Sequence, residues 1–333
     1  MGTLILGYYS SVDKGNLCML KGLFYFFPNI KKVYLPVLYS YVENLILKKE
    51  GFRKNVEVFC LLNLPKLFKL ILKTKKILFL FGDSLTGSYG FFSNIFAIAN
   101  LFLLFLIGKK AVILPSTILP SKLPKSFLKF FLRKVRKIYI REKEKLKETK
   151  KINERTFVSK DLSIFYLNSK RVKNRKRKNL IIITIRNSFP EIVKIDRRKI
   201  VNIIGKQLTS FLREHPNYKI IFLPFQIGIR RKNDDRRILK EIYNSMENYK
   251  EKVIFVDKFL SLDEILRIIK GSKLLISSRF HPCVFACSLK TPFIALKENF
   301  KIFSFARENK GVVIEGEKLR SLKKYITKNL HCI

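Results

Sequence analysis

Leu274-Leu275-Ile276-Ser277-Ser278-Arg279-Phe280-His281-Pro282 is the stretch that decides how this chain is read. Its apolar run is too short for a typical helix and reads as a buried strand. Pro282 then stands at a first helical position, and Cys283-Val284-Phe285-Ala286-Cys287 continues as the opening of a helix. Arg279 and His281 therefore fall at the carboxyl end of a strand, beside a helix N-terminus. In open parallel sheets that is where anions bind, because free backbone N–H groups and the helix dipole face one point. A guanidinium offers a planar fork to carboxylate or phosphate, and an imidazole moves protons near neutral pH. The plainer alternative is a helix-capping histidine with a surface arginine.

Working outward, apolar runs alternate with amphipathic stretches. Candidate strands are 3–6, 56–61, 77–81, 111–114, 137–140, 180–185, 219–223, 253–256, 273–276 and 293–296. This alternation predicts an α/β chain with parallel sheets covered on both faces. At 333 residues the chain exceeds a single core and fits two lobes of roughly 150 residues each. The expected boundaries are a first lobe over 1–168, a basic linker over 169–179 and a second lobe over 180–333. The segment 91–107 is mostly apolar, interrupted by Ser93, Asn94 and Asn100. It is shorter than the about 20 apolar residues of a membrane span and reads as a helix buried on the first sheet, with shallow insertion into a bilayer surface as the alternative. The opening Met1-Gly2-Thr3-Leu4-Ile5-Leu6 reads as a strand, not a signal peptide.

Hydrophobic residues make up 47% of the chain, enough to build two cores, which argues against disorder. The formal net charge is +43, and such an excess attracts polyanions: nucleic acid, anionic lipid headgroups or acidic glycans. Abundant Ile, Phe and Asn beside Lys also match AT-rich codon usage, so basicity alone names no partner. Nucleic acid is disfavoured, since no zinc spacing, aromatic ribonucleoprotein motif or helix-turn-helix pattern accompanies the charge. Peripheral contact with an anionic membrane surface fits better. Five cysteines, an odd number without close pairing, point to reduced thiols in a cytoplasmic compartment. Cys283 and Cys287 could share a helix face with His281 nearby, but two thiols and one histidine do not form a convincing metal site, so no metal is expected. His215 and His331 read as exposed loop residues.

Downstream of His281, the helix runs into Thr291-Pro292-Phe293-Ile294-Ala295-Leu296 and then Asn299-Phe300-Lys301. Upstream stand Leu223-Pro224-Phe225-Gln226 with Asp234-Asp235, Ser261-Leu262-Asp263-Glu264, Ile183-Thr184-Ile185-Arg186 and Ile138-Tyr139-Ile140-Arg141-Glu142. This series resembles the polysaccharide pyruvyl transferase family, whose members carry Arg-x-His, a small-residue helix, a Pro-led strand and a lysine about twenty residues past the histidine. The resemblance spans nearly the whole chain and is strong in its second half. In the first half, Gly15-Asn16 stands where a Gly-Asp pair is usual, and Gly82-Asp83-Ser84 where a Gly-Gly-Gly turn is usual.

The resemblance implies two Rossmann-like lobes in a glycosyltransferase-like architecture with a ligand in their cleft. It also implies transfer of a pyruvyl group from phosphoenolpyruvate, as co-substrate and with no cofactor, to a sugar of a cell-surface or lipid-linked glycan. The donor carries nearly three negative charges and needs several fixed cations and a proton-transfer group. Arg279 and Arg186 are the expected grips on its anionic groups, Lys301 the partner of the departing phosphate, His281 the proton carrier and Arg141 a further donor contact. Asn16 and Asp83 are candidate acceptor contacts. Two other readings stay open: a nucleotide-sugar glycosyltransferase with Glu298 on a ribose, and a non-catalytic binder of anionic glycan or lipid.

Overall fold

The computed structural model describes residues 2–8, 10–52, 56–82, 91–119, 121, 123–170, 176–228 and 233–331, with backbone alone at 91–94, 96, 97, 109, 191, 247, 248 and 331. Asp83, Ser84, Cys332 and the linker residues Arg171, Lys173 and Arg175 lie outside the described residues, as does the side chain of His331. The chain divides into two compact units. One holds 1–11 and 16–166, the other 12–15 and 167–333. The short segment 12–15, expected in the first lobe, belongs to the second unit because Asp13 forms an antiparallel bridge with Gln226 and the Lys14 N–H donates to the Phe225 carbonyl at 3.2 Å.

The first unit is a seven-stranded parallel sheet. In chain order its elements are β1 (Thr3–Leu6), α1 (Lys14–Phe26, whose first two residues belong to the second unit), β2 (Val33–Val37), α2 (Ser40–Lys49), β3 (Val56–Cys60), α3 (Leu64–Lys73), β4 (Ile77–Phe79), α4 (Phe91–Ile107), β5 (Ala111–Ser116), α5 (Lys125–Leu132), β6 (Lys137–Ile140), α6 (Leu146–Lys150), β7 (Thr156–Val158) and α7 (Leu162–Ser169, whose last three residues belong to the second unit). The strand order is β3-β2-β1-β4-β5-β6-β7, every neighbour pair being parallel. Leu67, Leu70 and Ile71 of α3, Leu101 and Leu104 of α4, and Leu128 and Leu132 of α5 share one core with Leu4, Phe79 and Ile113 of the sheet. The 17-residue α4 is thus a sheet-packed helix, and no described helix is long and apolar enough to cross a membrane.

The second unit comprises β8 (Leu180–Thr184), α8 (Phe189–Val193), α9 (Arg197–Glu214), β9 (Lys219–Phe222), α10 (Arg236–Asn244), β10 (Val253–Phe255), α11 (Leu262–Lys270), β11 (Leu274–Ser277), α12 (Phe280–Ser288), β12 (Phe293–Leu296), α13 (Phe300–Glu308), β13 (Val312–Ile314) and α14 (Leu322–His331). Its six strands run in the order β10-β9-β8-β11-β12-β13, all parallel. The order reverses between β8 and β11, which opens a crevice outside their carboxyl ends. The strands there are apolar up to their last residues, Thr184 and Ser277, because both faces are covered: Ile181, Ile182, Ile183, Leu274 and Leu275 are fully buried.

Three strands escape the sequence reading. β2 carries Pro36, which ordinarily argues against an interior strand. Pairing with β1 ends at Tyr34, so the missing N–H falls beyond the shared register. β7 and β13 are three-residue edge strands, too short to show a period. Helix α12 also begins two residues earlier than expected, at Phe280, with Pro282 third in the helix. First-turn N–H groups have no intrahelical partner, so proline is tolerated there.

Candidate active site at the second unit's strand ends

Arg186, Arg279, His281 and Lys301 all follow strands at or next to the β8/β11 switch point. Arg186 lies two residues past β8, and its backbone N–H donates to Ser278 Oγ at 2.8 Å, tying the two strand ends together. Ser277 Oγ accepts the Arg279 N–H at 2.8 Å, closing the turn from β11 into α12. His281 is the second residue of α12 and is half-buried. Lys301, in the first turn of α13 behind an Asn299 cap, lies 4.6 Å over the Phe280 ring, whose centroid is 5.3 Å from that of His281.

Arg279 does not present an open fork. Its side chain is 5% exposed, with Nη1 at 3.2 Å from Asp13 Oδ2 and Nη2 at 2.9 Å from Gln226 Oε1 and 2.7 Å from Asp235 Oδ1. Asp235 is fully buried and accepts from four donors: the backbone N–H groups of Asn187, Phe225 and Gln226, and Arg279. Burial pushes its carboxyl above the ordinary range, against the pull of the guanidinium and the backbone amide. The two-carboxylate clamp fixes the ends of β8, β9 and β11 in one arrangement.

Asp13 is the residue that sequence reasoning missed. Its Oδ1 accepts the Gly15 N–H at 2.8 Å, as a helix N-cap does, while Oδ2 takes Arg279. Lys14 is buried with Nζ 3.0 Å from the Phe259 ring centroid. Gly15 lies so close to His281 that a Cβ would sit 2.0 Å from Nδ1. A glycine is required there for the imidazole to occupy its place. The available signal was Asp13 two residues before Gly15, an N-capping spacing ahead of an apolar helix.

Arg186 pairs with Glu298, Nη1 to Oε1, at 2.6 Å, and the Glu298 side chain is 2% exposed. Glu298 is thereby held inward by the arginine. In the first unit, Arg141 is enclosed: Nη1 donates to Asp161 at 2.7 Å, and Nη2 to the Gly82 carbonyl at 2.6 Å and Thr117 Oγ1 at 3.0 Å. Its ion pair is with Asp161, whereas the neighbouring Glu142 accepts from Thr117 at 2.5 Å. Asn16 donates through its amide to the Ser10 carbonyl at 3.3 Å, in a loop that buried Glu43 holds by accepting the Ser11 N–H at 2.9 Å. Asp83 lies outside the described residues.

Cys283 is buried and its thiol is pushed well up by burial; Cys287 contacts Asn309 at 3.3 Å. Both pack α12 into its surroundings. Among the described residues no cluster of three His, Cys, Asp or Glu side chains gathers to hold a metal.

Two open parallel sheets, one with the 3-2-1-4-5-6 order and basic residues at its switch point, define a two-lobed α/β class of fold. Solved structures of this fold include a putative UDP-N-acetylglucosamine 2-epimerase from Listeria monocytogenes, 10% identical with a TM-score of 0.66 over 99% of this chain and 88% of that one. The S. aureus MnaA structure with UDP is 12% identical, with a TM-score of 0.63 over 99% and 90%. Anabaena HepE in complex with UDP-glucose is 14% identical, with a TM-score of 0.56 over 98% and 89%. At these identities the likeness is one of fold. No curated protein matches the chain significantly. The profile of the polysaccharide pyruvyl transferases matches residues 37–299, and the chain belongs to that family.

Proposed function

We propose that the chain moves a pyruvyl group from phosphoenolpyruvate to two hydroxyls of a sugar in a cell-surface or lipid-linked glycan, on the cytoplasmic side where that donor is made. In this reaction C2 of the donor gains two sugar oxygens and loses phosphate. One hydroxyl proton ends on C3, which becomes a methyl group, and the other leaves with the phosphate. Family membership supports the reaction class, and the observation that carries the site is the seating of His281 against Gly15 at the start of α12.

His281 moves the hydroxyl proton, Arg186 and the N–H groups opening α12 hold the donor's anionic groups, and Lys301 meets the departing phosphate. Arg279 is assigned as a positioning residue, because both of its terminal nitrogens already serve Asp13, Gln226 and Asp235. Arg141 likewise orders the first unit's strand ends through Asp161, Thr117 and Gly82. Asn16 and Asp83 remain the proposed acceptor contacts. The nucleotide-sugar alternative needs Glu298 on a ribose, and its pairing with Arg186 disfavours that use.

Thermal unfolding of the full chain tests the donor. Phosphoenolpyruvate should protect it and UDP-N-acetylglucosamine should not. Arg186→Gln should weaken protection about tenfold or more, the loss of one charge-assisted hydrogen bond of about 1.5–3 kcal/mol. Protection by the sugar nucleotide alone would move the chain to the glycosyltransferase reading. Protection by phosphoenolpyruvate without phosphate release on any glycan would favour the non-catalytic binder.

A further inference from the structure

The outer faces of α3, α4 and α5 carry an apolar surface that the donor chemistry does not use. On α3, Leu64, Phe68 and Leu72 recur at every fourth position, and Leu72 is 75% exposed. On α4, Ile98, Phe102 and Leu106 do the same, with Leu106 64% exposed. The inward faces of all three helices pack into the single core on that side of the sheet, so these outward stripes belong to one side of the unit. The stripes are neighbours: Lys110, just past α4, donates to the Leu72 carbonyl at 3.4 Å. Phe105 of α4 stacks on half-exposed Phe130 of α5 at 5.0 Å.

Charge selects the occupant. From Val58 to Arg141 the sequence carries fifteen lysines and arginines and a single acidic residue, Asp83. Lys69 and Lys73 lie on α3 beside Lys66, which is paired with Glu57, and Lys129 lies on α5 beside Lys125, which is paired with Glu148; Arg133 and Lys134 cover Phe130 and Phe105 at 4.8 and 4.6 Å. A second copy would set this cationic face against another of the same sign. A nucleic acid would meet aliphatic tips such as Leu72 and Leu106, which neither stack on bases nor donate to phosphates. An anionic bilayer satisfies both features: apolar side chains enter the acyl boundary while lysines stay at the headgroups. We infer that the outer face of α3, α4 and α5 is a shallow insertion surface for an anionic lipid bilayer. This surface shares no residue with the strand-end site of the second unit.

The chain contains no tryptophan, so a single introduced indole reports one position. In the full chain, Leu106→Trp emission should shift to the blue and be quenched by brominated lipid when phosphatidylglycerol-containing vesicles are added. Ile254→Trp, at an exposed position of β10, should not respond. Wild type should bind those vesicles at least about tenfold more tightly than phosphatidylcholine vesicles, with salt reducing the difference. Leu72→Ser with Leu106→Ser should lower binding about a hundredfold, each side chain being worth about one factor of ten. Donor protection in solution should survive in that variant, so failure here and failure of the donor reading are separable. An unresponsive Leu106→Trp, equal binding to both vesicle types, or a wild-type dimer that the double serine variant dissociates would each overturn the inference.

Discussion

Removing the carboxylate at Asp235 should cost more than any surface change in the second unit. Asp235→Asn keeps the shape but leaves one acceptor oxygen for four donors, and its amide nitrogen must face other N–H groups. For opposite charges about 4 Å apart at an effective dielectric near 20, the lost attraction is about 4 kcal/mol. Breaking a buried pair by removing one partner typically costs about 3–5 kcal/mol. For a unit of this size, a loss of about 3 kcal/mol lowers the unfolding midpoint by about 6–12 °C. Arg279→Met should cost a comparable amount, leaving Asp13 and Asp235 without their cation. The decisive measurement is the double-mutant cycle in thermal or urea unfolding. The double variant should be more stable than the summed single losses predict, by at least about 1 kcal/mol. Strict additivity, or a wild-type midpoint for Asp235→Asn, would refute the reasoning that Arg279 acts by fixing the strand ends.

Gly15→Ala drives a methyl group toward His281 Nδ1; turnover should fall at least about tenfold while the second unit still folds, as read by kcat with circular dichroism. Glu298→Gln removes the buried anion beside Arg186; the KM for phosphoenolpyruvate should fall severalfold and kcat should also fall, since the guanidinium loses its anchor. Among the cysteines of the described residues, thiol reagents followed by peptide mapping should label Cys60 first, and Cys18 and Cys283 only on unfolding, because burial pushes both thiols up and hides them. Ser261→Ala removes one half of the capping box that opens α11 and should cost about 1 kcal/mol in urea unfolding.

Strands with fully buried faces were legible because nothing interrupts their apolar runs. All ten candidate runs fall on strands, and 3–6, 137–140 and 293–296 coincide with β1, β6 and β12. What was illegible follows from length or from a local conflict: β7 and β13 have three residues each, and Pro36 masks β2. The Arg-Phe-His turn was legible as a strand end, yet the use of its arginine was not. The partners of Arg279 lie 266, 53 and 44 positions away, at Asp13, Gln226 and Asp235. Spacing along the chain carries no signal for contacts made only when strands assemble. Glu298 was read as the candidate ribose contact of the nucleotide-sugar alternative, and its pairing with Arg186, at a different strand end, was illegible for the same reason.

On the proposed donor chemistry, the burial of Arg279 sets how the site would handle a polyanion. A guanidinium shared by two carboxylates adds no net positive charge to its surroundings, so this turn attracts an anion through its neighbours. Those are the α12 N-terminus, which carries positive dipole character, Lys301 over Phe280, and the part of Arg186 that Glu298 leaves exposed to solvent, about a fifth of its side chain. Each is a moderate attraction, and each has its position set by the clamp or by the helices it orders. The Arg279–Asp235 pair therefore controls geometry more than field strength. A change to it should raise KM and lower kcat together, whereas adding salt should act on KM alone.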